Sequence, residues 1–277
     1  MEVRYLPNQE SYRRMTTEEL RAAFVLEHLF KPATIGMVYF ETDRLIAGGA
    51  APTDAPLQLV ASRKEMATDF FTERRELGIV NIGGEGIVKV EGIEYVLRSN
   101  GVLYVGRGKK KVEFQSWTKD QPALFYFVSY PAHADYPDTL IHHSDAERTD
   151  LGSMEGANKR TIYKYIHTGG VKSCQLVLGI TQLETGSIWN TMPPHTHQRR
   201  SEIYFYYSLG ADDLVVHLMG TPNETRNLIL RNGQAVMSPS WSIHCGAGTR
   251  NYSFIWAMGG ENQEFADMDG VPMPSLF

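Results

Sequence analysis

From Gly36 onward the chain consists of short apolar, β-branched and aromatic runs, each closed by a glycine-bearing turn. Such punctuation is the signature of strands rather than helices. The runs include GIVKVEGIEYVL, SNGVLYVGRG, KVEFQS and ALFYFVSY, then RTIYKYIH, CQLVLGITQLETGSIW, EIYFYYSLG, DLVVHLMG, TRNLILRNGQAVMSPSW and SFIWAMGG. Strands that turn about every 8–12 residues are layered into sandwiches or barrels. The pattern therefore predicts a mainly all-β chain of β-barrel or jelly-roll units with few short helices. Asn100-Gly101 predicts a hairpin, because a type I′ turn needs positive φ at both central residues.

One helix is predicted near the start. TTEELRAAFVLEHLF offers Thr16 and Glu19 as a capping box and Leu20, Phe24 and Leu29 near one face, and Lys31-Pro32 ends it. His133 to Lys159 is polar and poor in aromatics, and reads as a linker or long loop. At 277 residues the chain is long enough for one large domain or two ordinary ones, at roughly 150 residues per domain. The expected organisation is a first β unit over 1–132 that includes the helix, a linker over 133–159, and a second β unit over 160–277.

Charge excludes several roles. Lys plus Arg 27 against Asp plus Glu 32 gives 27 − 32 = −5, which offers no broad field for nucleic acid or anionic lipid. An anionic ligand would need a few local arginines. No apolar run approaches the ~18 residues of a membrane span, and the first residues lack a signal-peptide core, so the expectation is a soluble, cytoplasmic protein. No GxGxxG precedes a helix and there is no P-loop. Cys174 and Cys245 lie outside any CxxC spacing and read as buried small apolar residues.

The chemistry concentrates in GSIWNTMPPHTHQRRSEIYFYY, residues 186–207. His195 and His197 are two apart and on a strand share a face. Glu202 is five further on, an odd offset, so the chain must turn within QRRS and start a new strand on which Glu202, Tyr204 and Tyr206 share a face. A third histidine, His244, sits in SPSWSIHCGAG. An HxH pair alone would be read as two surface loop residues. With Glu202 and His244 the spacing becomes G-x8-H-x-H-x4-E followed by G-x5-P-x4-H, which resembles the two signature motifs of the cupin superfamily. That resemblance implies a divalent metal held by three histidines and a glutamate inside a small β-barrel. Trp241 stands where glycine is usual and Gly248 where asparagine is common, departures that concern turn shape rather than ligands. Ligand type leaves zinc, iron, manganese and nickel open.

Of nine histidines none falls between His28 and His133, so the first unit has no three-histidine site of its own. GVLYVGRG still looks like a degenerate second motif, with Arg107 near the proline position. A bicupin with one silent half is the economical expectation.

A closer resemblance runs nearly the whole length, through ERRELGIVNIGG, LYVGRG, PAH, KRTIYKY, WNTMPPHTHQRRSEIYFYY, ETRNLIL, SPSWSIHCGAGT and FIWAMGGENQEFADMD. In these stretches the chain is similar to the 5-keto-4-deoxyuronate isomerases of pectin breakdown. The resemblance places metal ligands on His195, His197, Glu202 and His244. It implies one Zn2+ per chain, a homo-oligomer that is typically a hexamer, and a small anionic uronate as substrate. Asn227 stands where a histidine is expected. The implied reaction is an aldose-to-ketose shift from 5-dehydro-4-deoxy-D-glucuronate to 3-deoxy-D-glycero-2,5-hexodiulosonate.

The residues suit that chemistry. Moving a carbonyl from C1 to C2 removes a weakly acidic C–H proton, and a Lewis acid stabilises the resulting enediolate. Four protein ligands would close a tetrahedral zinc, so five or six coordination is expected. Glu202, Tyr204 and Tyr206 are the candidates for the proton shuttle, and the sequence does not choose among them. Arg160 and Arg200, with Lys164 behind them, are the candidates for the substrate carboxylate. His217 and His167 read as a core and a strand-end histidine. The competing readings are a metal-dependent cupin dioxygenase and a non-catalytic sugar-acid-binding cupin.

Overall fold

The computed structural model describes residues 1–277. They divide into two compact units. Met1–Val3, His28–Ala146 and Tyr165–Leu178 form the first, and Arg4–Glu27, Glu147–Lys164 and Gly179–Phe277 form the second. The chain is mainly β, as expected, and its only α-helices are Thr17–Phe24 and Arg63–Met66.

The two units share a build. Each has a seven-stranded and a four-stranded sheet. In the first, Ile35–Phe40, Ile46–Ala50, Phe125–Pro131, Arg75–Asn81 and Val102–Val105 are successive neighbours in the larger sheet. In the second the same places are taken by Arg160–Ile166, Val177–Leu183, Ser253–Gly260, Arg200–Tyr207 and Gln234–Ser238. Arg75–Asn81 and Arg200–Tyr207 are thus equivalent central strands. Both are buried along their length.

The interiors differ. In the first unit, Leu77 and Ile79 of the central strand pack with Val88, Leu103, Phe114 and Phe127 from both sheets, all fully buried. Phe114 and Phe127 stack with centroids 5.8 Å apart. Each such side chain contributes roughly 1.5–3 kcal/mol by leaving water. In the second unit the central strand sends Glu202, Tyr204 and Tyr206 inward instead, the last to a histidine of the opposite sheet. One interior is filled with hydrocarbon and the other holds polar groups.

Four expectations are corrected. The helix is capped as predicted, with Thr16 and Glu19 hydrogen-bonded reciprocally, but it stops at Phe24. Val25–Leu26 leave it to pair with Val236 and Ala235, so strand pairing takes over where the helical pattern continues. The helix also clusters with the second unit, because Tyr12 and Phe24 pack on Trp241 at 4.8 and 6.5 Å. Trp241, at a position where a glycine was expected, thus has a packing role. Residues 133–159 are not a plain loop, since Thr139–Ile141 pairs with Val102–Tyr104 and Glu147–Leu151 pairs with Arg160–Lys164. Their polar composition reflects exposed edge strands held by backbone bonds and by a Lys164–Glu147 ion pair. Finally, Asn100 does adopt positive φ, 65°, but the flanking strands Ile93–Leu97 and Val102–Val105 belong to different sheets, so the turn is a corner and not a hairpin.

Candidate metal centre

The short strand His195–Thr196 pairs with Asp269–Gly270, which turns the HxH segment back toward the start of Arg200–Tyr207. This reversal resolves the odd offset of Glu202 and brings four side chains to one point. His195 Nε2 lies 3.0 Å from His197 Nε2 and 3.1 Å from His244 Nε2. Glu202 Oε2 lies 2.9 Å from both His197 Nε2 and His244 Nε2. All four ligand atoms fall within 4.8 Å of one another, and three of the four residues are buried.

Neighbouring groups fix which nitrogen faces the cluster. The His197 Nδ1–H donates to the Asp267 carbonyl at 2.7 Å. His244 Nδ1 lies 3.1 Å from Ser238 Oγ, which itself donates to the Ser242 carbonyl, so the imidazole is the donor there. With Nδ1 donating, neutral rings would turn both Nε2 lone pairs inward, toward a carboxylate oxygen, whereas without a cation an Nε2–H there donates to Glu202. Lone pairs 3 Å apart repel unless a cation lies among them, so the donor set fits a metal ion. The edges also match: at metal–ligand distances of ~2.1 Å, donors at right angles stand ~3.0 Å apart, and tetrahedral ones ~3.4 Å. The set suits a coordination number above four.

Arginines brace the ligands. Arg199 forks onto the Asp267 carboxylate with Nε at 2.7 and 2.8 Å, and so holds the loop whose carbonyl orients His197. Arg200, 1% exposed, donates to the carbonyls of Glu264, Phe265 and Asp267 at 2.6, 3.2 and 3.2 Å. Such outer contacts set ring orientation and ligand basicity.

A cavity of about 260 Å³ opens on the cluster, lined by His195, His197, Glu202, Tyr204, Arg160 and Thr191 among apolar walls of Phe254, Trp256 and Met258. Of the residues singled out from sequence, the structure brings His195, His197, Glu202 and His244 together, and places Tyr204 and Arg160 on the cavity. Three others are directed elsewhere. Arg200 is committed to backbone carbonyls behind His197. Lys164 is paired with Glu147 and lies 5.2 Å from the Phe265 ring. Tyr206 points deeper, its hydroxyl 2.8 Å from His217 Nδ1. Sequence reasoning missed Thr191, whose hydroxyl lies 3.1 Å from the Tyr204 hydroxyl and whose φ of 45° is costly for a β-branched residue. It also missed Ser238 and Asp267, although FADMD gave an acidic hint of the latter.

Burial and mutual charge set the protonation states. Burial, then the neighbouring His244, pushes His195 down to about 2, so its imidazole is neutral at pH 7. Burial alone would raise the Glu202 carboxyl, but His244 and His197 hold it well below the usual carboxylate range. Burial, then Glu202, raises Tyr204 far above 10, leaving a neutral phenol that donates rather than accepts protons.

His217 is pushed down from 6.5 to about 3, by burial first and His244 second. The unfolded chain binds this proton below pH 6.5 and the native state does not, so stability is full above 6.5 and falls as pH drops toward 3. In chelator-treated protein each such histidine is expected to cost ~1.4 kcal/mol per pH unit between about 6.5 and 5. Urea unfolding of His217→Gln across that window should show a slope shallower by that amount. An unchanged slope would contradict the assignment.

The sequence model of the KduI/IolB family matches residues 30–270. Proteins named 4-deoxy-L-threo-5-hexosulose-uronate ketol-isomerase from Caldicellulosiruptor bescii and Bacillus subtilis are 52% identical over 276 residues and 49% identical over 276 residues. Each match covers 100% of both chains. Among solved structures, an IolB-like protein from Salmonella typhimurium superposes with TM-score 0.70 at 13% identity, covering 87% of this chain and 94% of that one. An oxalate decarboxylase from Lactobacillus farciminis superposes with TM-score 0.58 at 10% identity, covering 86% and 83%. At such identities the two structures speak to the fold alone, which is that of the cupins.

Proposed function

The chain belongs to the KduI/IolB family, and from that premise we propose that it is a 4-deoxy-L-threo-5-hexosulose-uronate ketol-isomerase, converting 5-dehydro-4-deoxy-D-glucuronate to 3-deoxy-D-glycero-2,5-hexodiulosonate. The observation that carries the mechanism is the convergence of three histidine nitrogens and one carboxylate oxygen on a cavity that also holds an arginine and a neutral tyrosine.

His195, His197, Glu202 and His244 would hold one divalent metal, which when bound supplies Lewis acidity to the substrate carbonyl and adjacent hydroxyl. Zinc is our reading of its identity. Arg160 grips the substrate carboxylate. Its Nη1 donates to the Asn158 carbonyl at 2.8 Å, which fixes the guanidinium plane at the cavity wall. Tyr204 donates a hydrogen bond to the oxygen on which negative charge develops, and Thr191 holds its hydroxyl in place. Glu202 is the one carboxylate lining the cavity and moves the proton between C2 and C1 through an enediolate. The apolar walls exclude water from it. Tyr206 supports this array through His217 and does not meet substrate.

By resemblance, we read the setting as cytoplasmic pectin breakdown and the assembly as a homohexamer without nucleic-acid or membrane partners. No helix is long and apolar enough to cross a membrane.

Arg160→Gln is expected to raise KM for the uronate about ten- to a hundred-fold, the usual loss for one charge-assisted bond. Unchanged KM and kcat would place the carboxylate elsewhere. The activity itself is tested by assaying the metal-loaded protein anaerobically with the uronate: full turnover without oxygen is expected. Turnover that requires and consumes oxygen would instead identify a dioxygenase, and binding without turnover a sugar-acid-binding protein.

A further inference from the structure

We propose that the first unit carries a second ligand site, a cavity at one end of its barrel that binds a small hydroxylated carboxylate. The cavity is about 270 Å³ and is lined by Tyr39, Ile46, Glu65, Thr68, Arg74 and Arg75, all within that unit. Tyr39, Ile46 and Arg75 lie on the strands equivalent to those that supply Arg160, Thr181 and Glu202 to the metal cavity. The first unit has therefore filled its barrel interior with Leu77 and its neighbours while keeping an opening above them.

That opening has the groups an acid needs. Arg75 is 7% exposed, and its Nε and Nη2 donate to Ser129 Oγ at 3.1 Å, to the Ser129 carbonyl at 2.8 Å and to the Arg44 carbonyl. These bonds fix the guanidinium and leave its Nη1 hydrogens without a protein acceptor. Burial lowers its pKa to about 10, so it is cationic at neutral pH. Arg74 stands beside it, with its nearest carboxylate oxygen, on Glu73, at 3.7 Å, beyond hydrogen-bond length. The Thr68 hydroxyl is buried with no partner, on a residue only 4% exposed. A buried hydroxyl without a partner is uncommon, and a bound ligand is one way to satisfy it. Glu65 is already engaged by the Ser62 hydroxyl and the Met1 amine, which offset its repulsion of an anion and leave it as an acceptor for a ligand hydroxyl.

Arg74 and Arg75 both line the cavity and suit a carboxylate there, and Thr68 with Glu65 suits a hydroxyl on the same ligand. The volume is near the lower end of the roughly 300–1,000 Å³ of small-molecule sites, enough for a sugar acid and too small for a nucleotide. The inference is independent of the activity assigned to the metal cavity.

The test is calorimetric titration of D-glucuronate into the full chain carrying Arg160→Gln, which weakens the other cavity. Binding is expected. Adding Arg74→Gln should weaken it about ten- to a hundred-fold, and adding Thr68→Val several-fold, with thermal midpoints close to the parent. Arg74 is mostly exposed, so its variant keeps the fold and decides the matter if Thr68→Val does not. Absence of binding, or binding unaffected by Arg74→Gln, overturns the proposal. Binding of inorganic phosphate at this site with none of D-glucuronate overturns the ligand class.

Discussion

His244→Ala is expected to abolish metal binding and to reduce isomerase activity by at least about a thousand-fold. His244 is 1% exposed, and its Nε2 is 2.9 Å from Glu202 and 3.1 Å from His195, so its loss removes one of four converging donors. A Lewis acid contributes several kcal/mol to such a step, and each 1.36 kcal/mol is tenfold in rate. His195→Ala should behave alike. The fold should persist, because the second unit is built from sheets with apolar packing and not around the ion as a zinc finger is. The void left by the imidazole should cost about 1–3 kcal/mol. A His195→Ala, His244→Ala double variant that kept metal and activity would refute the site. Complete unfolding on chelation would instead make the metal structural.

Tyr204→Phe should lower kcat about a hundred- to a thousand-fold with metal content unchanged. The substitution deletes one hydroxyl, 3.1 Å from Thr191, and leaves the ring packed on Phe254 at 4.6 Å. Removing one donor aimed at developing negative charge typically has an effect of that size. The tyrosine is suited to donation because burial keeps it protonated. Steady-state kinetics with metal analysis checks this, and a kcat within twofold of the parent would remove Tyr204 from the mechanism. Tyr206→Phe should have a smaller effect, since that hydroxyl is bonded to His217 away from the cavity.

These two residues also mark where the sequence stops being informative. Strand periodicity puts Glu202, Tyr204 and Tyr206 on one face, and they do share one. It cannot say that Tyr204 lines the cavity while the Tyr206 hydroxyl is bonded to His217 of the opposite sheet. The four-donor constellation was legible because HxH, the following glutamate and His244 have fixed spacing inside strand-like sequence. Arg200 was not, since its direction depends on carbonyls of residues 264–267, more than sixty positions away. Likewise the partners of Trp241, Tyr12 and Phe24, lie at the other end of the chain, so nothing local assigns the first helix to the second unit. The edge strands within 133–159 were hidden because edge strands need no apolar pattern: one face and one edge meet water.

The most direct test of the central claim is a titration of metal-free protein with zinc, following bound metal and anaerobic turnover of the uronate together. The account predicts that activity is absent at the start, rises in step with bound metal and levels off at one equivalent per chain, with no rise in the His195→Ala protein. Full turnover by the metal-free protein, or saturation only at two equivalents, would contradict it.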